Sequence, residues 1–248
     1  GIIEPVNIPN AIDLFEKSAL LSNKDANFYL GYIYYTGLGV EKNYKKAIDY
    51  FEIASNNGNH EASFYLGYIN YRGLGVKKDY NKAINYFEIS NNSLIHESSY
   101  FLGYINYIGL GVQRNIEKAI IYFKESSKAG FNESNFFLGY IYNKFHTYKD
   151  TILSDIFYKK YLSGSKKNPL NLAFLYDHGI GLKKNKSKSY QLYEIAAYKM
   201  NIPFAWYILS FKNAYSFKPN KVKSYSYLLN SAELGYSKAL YDLGRYYL

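Results

Sequence analysis

Few side chains in this sequence could carry out catalytic or metal-binding chemistry. The chain has four histidines and no cysteine, which excludes disulfides, thiolate metal sites and a cysteine nucleophile. His60 and His96 are each followed by a glutamate, a pair that could bind a metal or act as a general base. Neither begins an H-E-x-x-H zinc motif, and the two lie 36 residues apart in similar surroundings. We therefore interpret them as turn residues copied by duplication, and we predict no enzymatic activity and no cofactor.

A pair of glycines offers a second kind of chemistry, the binding of a phosphate group. Gly37-x-Gly39 resembles part of a dinucleotide-binding fingerprint, which needs a third glycine and a preceding strand. No third glycine follows at the required spacing, and the pair closes a predicted helix. We therefore exclude a nucleotide site here.

The glycines instead belong to an internal repeat. Its motif, Leu-Gly-Tyr-Ile-x-Tyr-x-Gly-Leu-Gly-Val, spans 30–40, 66–76 and 102–112, and it starts again at 138. Gly31, Gly67, Gly103 and Gly139 are consequently spaced 36 residues apart. A fixed period of this size is typical of stacked repeat proteins.

Each repeat is predicted to form two helices. In the repeat that follows residue 60, helix A is expected at about 61–71 and helix B at about 80–90. Asp79 should cap the N-terminus of helix B, as should Asn43 and Asn115 one period to either side. The Gly-Leu-Gly-Val segment supplies residues that tolerate the positive φ of a helix end. Leu66 and Phe87 are expected in the seam between helices.

The repeat pattern weakens after residue 143 but keeps its register. Helix B segments are expected at about 151–162, 187–198 and 221–235, with Ala173 in place of the usual glycine in repeat five and no glycine in helix A of repeat six. Helix entries are marked by Pro169, Pro203 and Pro219. The single Trp206 and the single Met200 are expected in the core or at a local docking point.

The chain is predicted to be one repeat array without a second domain. The expected boundaries are a half repeat at 8–22, repeats at about 25–58, 61–93, 97–130, 133–164, 168–200 and 203–235, and a partial repeat at 237–248. Neither end carries the polar capping unit that usually closes a solenoid. We therefore expect the native protein to continue on both sides.

These motifs resemble those of the Sel-1-like repeat family, relatives of the tetratricopeptide repeat. The resemblance rests on L-G-x-x-Y-x-x-G-x-G-V followed by a polar cap and A-x-x-Y-F-x-x-A, and it covers essentially the whole chain. It implies an all-α, right-handed superhelical solenoid of stacked helix hairpins, in which helix A lines a concave surface that holds proteins together. The tetratricopeptide alternative fits less well, because its period is about 34 residues. Asn70 and Asn106 stand where the family has tyrosine and are expected to loosen packing slightly.

A helical wheel of helix A leaves one stripe of positions facing outward. It combines an acidic row with two aromatic rows, and such aromatic rows are typical of protein-contact hot spots. The residues are Asp25, Tyr29 and Tyr32; Glu61, Tyr65 and Tyr68; Glu97, Phe101 and Tyr104; and Glu133, Phe137 and Tyr140. We predict that this concave stripe binds proteins. The alternative is that the aromatics pack against neighbouring repeats and the acids only stabilise helix N-termini.

The net charge of +10 would suit a nucleic-acid partner. The lysines are spread over the entrances of successive helices, so we interpret them as a solvated face and nucleic acid as an unlikely partner. No apolar run approaches the roughly 20 residues of a membrane span. Some Sel-1-like proteins have been assigned hydrolase activity, but those are rich in cysteine, and this chain has none.

The function expected from the resemblance is that of a protein-binding adaptor. Repeat order and three N-x-S sequons, at Asn91, Asn132 and Asn185, are similar to those of lumenal arrays in the Sel-1-like adaptor of an endoplasmic-reticulum ubiquitin ligase. The expected partners are then ubiquitin-ligase subunits, chaperones or misfolded clients, in the endoplasmic reticulum lumen or at its membrane. The alternative is a cytosolic or bacterial scaffold that regulates another enzyme, such as a cell-wall synthase, or contacts a host. A homodimer is compatible with either.

Overall fold

The computed structural model describes residues 8–21, 23–93, 95–165, 167–215 and 218–247. Every regular element within these ranges is a helix, and none of those helices has the length and apolarity needed to cross a membrane. The chain divides into two compact units, 1–134 and 135–248. Each unit is built from consecutive helix hairpins, as the repeat pattern predicts, so the all-α fold class is confirmed.

Unit 1 contains a half repeat followed by three complete hairpins. Its helices are α1 Ile8–Ala19, α2 Lys24–Thr36, α3 Tyr44–Asn56, α4 His60–Arg72, α5 Tyr80–Asn91, α6 His96–Ile108 and α7 Ile116–Lys128. Helices α2 and α3 form repeat one, α4 and α5 repeat two, and α6 and α7 repeat three. Helix α8, Asn132–Lys144, begins at the end of this unit. The predicted helix limits in repeat two are met to within one residue at each end.

The helix starts follow from side-chain caps. The Asn43 and Asp79 side chains each accept a hydrogen bond of 3.0 Å from the backbone N–H three residues later, and Asn115 does so at 2.8 Å. These bonds satisfy a donor that the first turn of helix B would leave free, so the predicted caps are confirmed. The backbone N–H of each cap residue also donates to helix A of its own hairpin, for example from Asn43 to the Tyr34 carbonyl at 2.9 Å.

Two glycines per repeat permit the hairpin geometry. Gly73 ends α4 with φ +71°, a backbone conformation that is unfavourable for residues with a Cβ. Its N–H donates to the Ile69 carbonyl at 2.8 Å. Gly67 lies in mid-helix for a different reason. A Cβ at Gly67 would come 2.7 Å from Cδ1 of the buried Phe87 ring on helix B. The glycine therefore lets the ring of helix B lie directly on the backbone of helix A.

The core of unit 1 runs between repeats as well as within them. One buried cluster joins Ala47, Phe51 and Ala54 of α3 to Ala62 and Leu66 of the next hairpin. A second cluster repeats this arrangement one period later, from α5 to α6. A single hairpin would leave half of this apolar surface in water, so the hairpins are stable only as a stack.

Unit 2 contains the rest of α8 with its partner helix, two further hairpins and a final helix A. Its later elements are a 3₁₀ turn His146–Tyr148, α9 Thr151–Ser163, α10 Pro169–His178, α11 Lys186–Glu194, a π-helical turn Ile195–Lys199, α12 Pro203–Ala214, α13 Lys221–Glu233 and α14 Ser237–Tyr246. Helices α8 and α9 form repeat four, α10 and α11 repeat five, α12 and α13 repeat six, and α14 is a helix A alone. Pro169 and Pro203 begin helices as predicted, whereas Pro219 precedes the Asn220 cap.

Unit 2 keeps the hairpin but varies the contact between helices A and B. In repeat four, Gly139 still lies under a ring, that of Tyr158. Ser154 Oγ of helix B donates to the Gly139 carbonyl at 3.0 Å, and Ser224 Oγ donates to the Ser210 carbonyl at the same distance in repeat six. The matching bonds place Ser210 at the position of the repeat glycine. Repeat six therefore has a serine where the consensus has no side chain.

Candidate protein-binding face

The acidic row occupies the first turns of successive A helices. Asp25, Glu61 and Glu97 are exposed and Glu133 is half-buried. Their position at helix N-termini favours negative charge because the backbone N–H groups there carry partial positive charge. Asp25 has a further structural task, since its Oδ1 accepts a 3.0 Å hydrogen bond from Nδ2 of Asn59, the cap of the next A helix. Asp25 therefore ties repeat one to repeat two.

The first aromatic row is engaged mainly in packing between repeats. Each ring of this row in unit 1 stacks nearly parallel on a phenylalanine of the preceding B helix. The pairs are Tyr29 on Phe15 (centroids 5.2 Å, 16°), Tyr65 on Phe51 (5.2 Å, 10°) and Phe101 on Phe87 (5.0 Å, 6°). Phe137, in unit 2, is half-buried against a core cluster. Tyr29 nevertheless stays 49% exposed, whereas Tyr65 and Phe101 are half-buried, so part of the surface of this row is used in packing that a wheel of one helix does not show. The binding role of the stripe stays a prediction.

The second aromatic row lies at the edge of this packing. Tyr32 is 36% exposed, and its ring meets Tyr65 edge to face at 5.7 Å. Tyr68 meets the ring of Phe101 in the same way at 5.6 Å. Burial raises the pKa of Tyr104, with a further contribution from Tyr80.

Tyr140, the member of this row in unit 2, is half-buried with its ring 5.6 Å from Phe174. The side chains of this row therefore range from partly exposed at Tyr32 to largely buried at Tyr104.

A third row of tyrosines, absent from the predicted stripe, adjoins the second. Burial, then the neighbouring Tyr68 and other tyrosines, raises the pKa of Tyr35 to about 12. Burial and then Tyr104 raise the pKa of Tyr71 well above its ordinary value. Tyr107 follows one period later with the guanidinium of Arg114 over its ring at 5.5 Å. The 36-residue spacing of this row, three residues after the second, was the signal that could have identified it.

Together these two rows form a surface that we call the tyrosine ladder. It comprises Tyr32, Tyr35, Tyr68, Tyr71, Tyr104 and Tyr107 on the A helices of unit 1. Burial raises the pKa of Tyr35, Tyr71 and Tyr104, so the surroundings of these phenols favour their neutral form. A protonated phenol offers an aromatic face together with a hydrogen-bond donor and acceptor. This chemistry suits protein recognition.

The three sequon asparagines have structural roles of their own. Asn91 ends α5, and its Oδ1 accepts a hydrogen bond from the buried Ser99 hydroxyl. Asn132 is the first residue of α8 and is half-buried. Asn185 caps α11, with its Oδ1 accepting a 2.9 Å hydrogen bond from the Lys188 N–H.

The remaining candidates contribute no assembled site. Among the described residues, no group of three or more His, Asp or Glu side chains is arranged to hold a metal ion. His60 and His96 are the first residues of α4 and α6. Trp206 is buried in a core cluster, whereas Met200 is 45% exposed. Asn70 replaces the family tyrosine without disorder, because its Nδ2 donates to the Leu66 carbonyl of its own helix at 2.8 Å.

Comparison with known proteins agrees with this architecture. The chain resembles a Sel1 repeat protein from Oxalobacter formigenes at 25% identity and a TM-score of 0.61, with 85% of each chain covered. It also resembles c5321, a protective antigen with an SLR fold from uropathogenic Escherichia coli, at 23% identity and a TM-score of 0.64. That match covers 90% of this chain and 50% of c5321, so the chain spans about half its length. No curated protein matches.

The family model named Sel1 repeat matches six segments, which together make up most of the chain. They are residues 1–23, 24–59, 60–92, 96–131, 170–199 and 215–236. The unmatched stretches include repeat four, whose hairpin nevertheless forms, and the whole of α12. On these grounds, the chain belongs to the Sel1 repeat family.

Proposed function

We propose that this chain is a non-enzymatic scaffold that binds another protein through the tyrosine ladder of unit 1. The observation that carries the proposal is the packing of these rings. Tyr32 and Tyr68 are held by edge-to-face contacts with neighbouring repeats. These two side chains would therefore lose little conformational freedom when a partner binds. Sel1 repeats generally serve as scaffolds for protein contacts, which supports this reading.

The acids beside the ladder favour a partner with basic side chains. Glu61 and Glu97 are exposed on the same A helices, and Glu97 is close enough to contribute to the raised pKa of Tyr65. Complementary charge chiefly raises association rates and selects among partners. We therefore expect a partner surface in which basic residues surround an apolar or aromatic centre.

A charge-reversal pair tests the proposal without disturbing the packing. The Glu61→Lys/Glu97→Lys variant inverts two exposed acids beside the ladder. The matched control, Glu52→Lys/Glu88→Lys, makes the same change of charge at exposed positions of α3 and α5, also one period apart. Affinity capture from the source cells with quantitative mass spectrometry should show partners that are lost from the first variant and kept by the control. Identical partner sets for both variants would contradict the proposal.

Alanine substitutions within the tyrosine ladder should affect stability to different extents. Tyr104 is largely buried and Tyr68 supports Phe101, so alanine at either position should lower stability as well as binding. Tyr32→Ala is the more informative change because the side chain is 36% exposed. Its expected result is weaker partner capture with a smaller loss of melting temperature than Tyr68→Ala or Tyr104→Ala.

Two cellular roles are candidates for this scaffold. The sequons favour the endoplasmic-reticulum candidate, an adaptor that recruits chaperones or misfolded clients to a degradation ubiquitin ligase. The bonds made by Asn91 and Asn185 weigh in the other direction, because a glycan there must coexist with a helix end or cap. The second candidate is a cytosolic or bacterial scaffold that regulates another enzyme or contacts a host.

Glycosylation and oligomeric state separate these candidates. Peptide mass spectrometry of the protein from its own cell should reveal a glycan at Asn132 or another sequon if it is an endoplasmic-reticulum adaptor. Unmodified sequons in material recovered with cytosolic enzymes would support the second candidate. Light scattering of the purified chain reports whether a homodimer accompanies either function.

A further inference from the structure

A cavity in unit 2 lies where unit 1 has a pair of stacked rings. In unit 1, a phenylalanine of helix B stacks on an aromatic residue of the next helix A, as Phe51 does on Tyr65. The phenylalanine lies eight residues after the helix B cap, and the aromatic residue lies two positions before the helix A glycine. The corresponding residues at the end of the chain are Leu228 and Asp242. Neither has a ring, and a cavity of about 470 Å³ is found between α12, α13 and α14.

The walls of this cavity are mainly aromatic. On one side, the ring of Phe211 in α12 stacks on the ring of Tyr215, the residue that follows α12, at a centroid distance of 5.9 Å. On the other side, the rings of Tyr225 and Tyr246 lie 5.1 Å apart, and Leu228 contributes a further apolar surface. The volume falls in the range of ligand pockets, about 300–1,000 Å³. The missing pair of rings and the aromatic walls together favour an aromatic occupant.

The charged groups of the cavity are two cations and one acid. Lys221 and Arg245 line it together with Asp242. Asp242 is held by the Tyr207 hydroxyl, which donates to its Oδ2 at 2.8 Å. An aromatic residue accompanied by acidic groups would therefore find both a place for its ring and partners for its charge.

The whole of unit 2 has the same electrostatic preference. It carries 17 Lys and Arg against 6 Asp and Glu, a net charge of +11, whereas unit 1 carries 13 against 14 and is at −1. The repeat position that is acidic in unit 1 is occupied in unit 2 by Lys167, Phe204 and Lys238. The net positive charge of the protein thus lies in the unit that contains the cavity. The electrostatic field of that unit speeds the arrival of anionic partners.

We propose that this cavity binds an acidic peptide segment of a partner protein, which inserts one aromatic side chain between the rings of α12 and those of α13 and α14. Acidic residues next to the inserted ring pair with Lys221 and Arg245. The peptide is favoured over a nucleic acid because the cavity is lined mainly by aromatic and apolar side chains and offers only two cations, Lys221 and Arg245, to a charged backbone. The site is separate from the tyrosine ladder, so either can fail in experiment while the other stands.

Short synthetic peptides test the proposal on the full chain. The probe is a fluorescently labelled acidic peptide with one central phenylalanine, compared with the same peptide carrying alanine there. Fluorescence anisotropy should show binding that is at least about tenfold weaker for the alanine peptide, the loss expected when a buried interface aromatic is truncated. Added salt should weaken binding because the acidic flanks contribute. Equal affinities for the two peptides, or no binding of either, would overturn the proposal.

Variants of the protein locate the binding. Tyr215→Ala removes a cavity wall from a residue that is 82% exposed, so the fold should tolerate it, and binding should fall at least about tenfold. Tyr241→Ala is the matched control, because Tyr241 is exposed on α14 and does not line the cavity. Leu228→Phe restores the ring of the unit 1 pair and should also abolish binding. Tighter binding of a labelled oligouridine with the same dependence on Tyr215 would overturn the proposal in favour of a nucleic-acid site.

Discussion

Replacing Gly67 by alanine should destabilise the protein even though alanine is the better helix former. Gly67 lies in the middle of α4, where glycine costs about 1 kcal/mol relative to alanine. A Cβ built there would come 2.7 Å from Cδ1 and 2.8 Å from Cε1 of Phe87, closer than carbon atoms approach in folded proteins. The methyl group can be accepted only if the ring or one of the two helices moves.

The ring has little room to withdraw. Phe87 is fully buried and stacks on Phe101 of the next repeat at 5.0 Å and 6°. Overpacking of this kind costs about 1–3 kcal/mol. After the gain in helix propensity of about 1 kcal/mol is subtracted, we expect a net loss of up to about 2 kcal/mol. For a chain of this size, that lowers the melting temperature by up to about 8 °C.

Thermal unfolding followed by circular dichroism measures the effect, and the chain supplies its own control. Gly244 occupies the same repeat position in α14, but a Cβ there meets nothing within 4 Å. Gly244→Ala should therefore leave the melting temperature unchanged or raise it. If Gly67→Ala is as stable as the wild type, the ring does not require a glycine beneath it.

The pairing can also be tested by changing both partners. Repeat six has Ser210 with Leu228 where repeat two has Gly67 with Phe87. Phe87→Leu alone should destabilise the protein by loss of ring contacts. Combined with Gly67→Ala it should cost less than the sum of the two single changes, by about 0.5–3 kcal/mol. Additive effects would mean that the two residues do not compete for the same space.

Three further predictions concern caps, links and ionisation. Asp79→Ala should cost about 1 kcal/mol by urea denaturation, because α5 loses its cap, whereas Asp79→Ser should cost less. Asn59→Ser keeps a capping oxygen for α4 but loses the bond to Asp25, so it should be less stable than wild type and more stable than Asn59→Ala; equal stability of Asn59→Ser and the wild type would refute a role for that link. The raised pKa of Tyr35, about 12, favours the neutral phenol in the folded state. Its contribution to stability is therefore complete below the ordinary value of 10.0 and is lost as pH rises through about 12, which urea denaturation with tyrosinate absorbance should show as unfolding-linked ionisation.

The features predicted correctly from the sequence are those set by local signals. The caps at Asn43, Asp79 and Asn115 depend on a side chain and a backbone N–H three residues away. The glycines that end α2, α4, α6 and α10 are required by the positive φ of their own backbone. Both kinds of signal recur at a fixed period, so three copies of the motif give the same answer independently.

The features that the sequence could not provide depend on contacts between repeats. Tyr65 and Phe101 face outward on a wheel of their own helix, yet each stacks on the B helix of the preceding hairpin. The glycine position of repeat six is also hidden in the sequence, because Ser210 has no resemblance to the motif there. The structure locates it through contacts such as the bond from Ser224.

This dependence on neighbours changes where binding sites should be sought in such an array. A ring that recurs through the repeats of unit 1, such as Tyr65 or Phe101, stacks on the preceding repeat, so much of its surface is already used. Where the recurrence fails, the contact fails with it, and surface becomes available to a partner. Asp242 is such a departure: it replaces a stacking ring, accepts a bond from Tyr207 and borders a cavity. In this array, rings covered by a neighbouring repeat therefore identify the stack. Selective recognition should be sought at recurring rings that stay partly exposed, such as Tyr32, and at irregular positions such as Asp242.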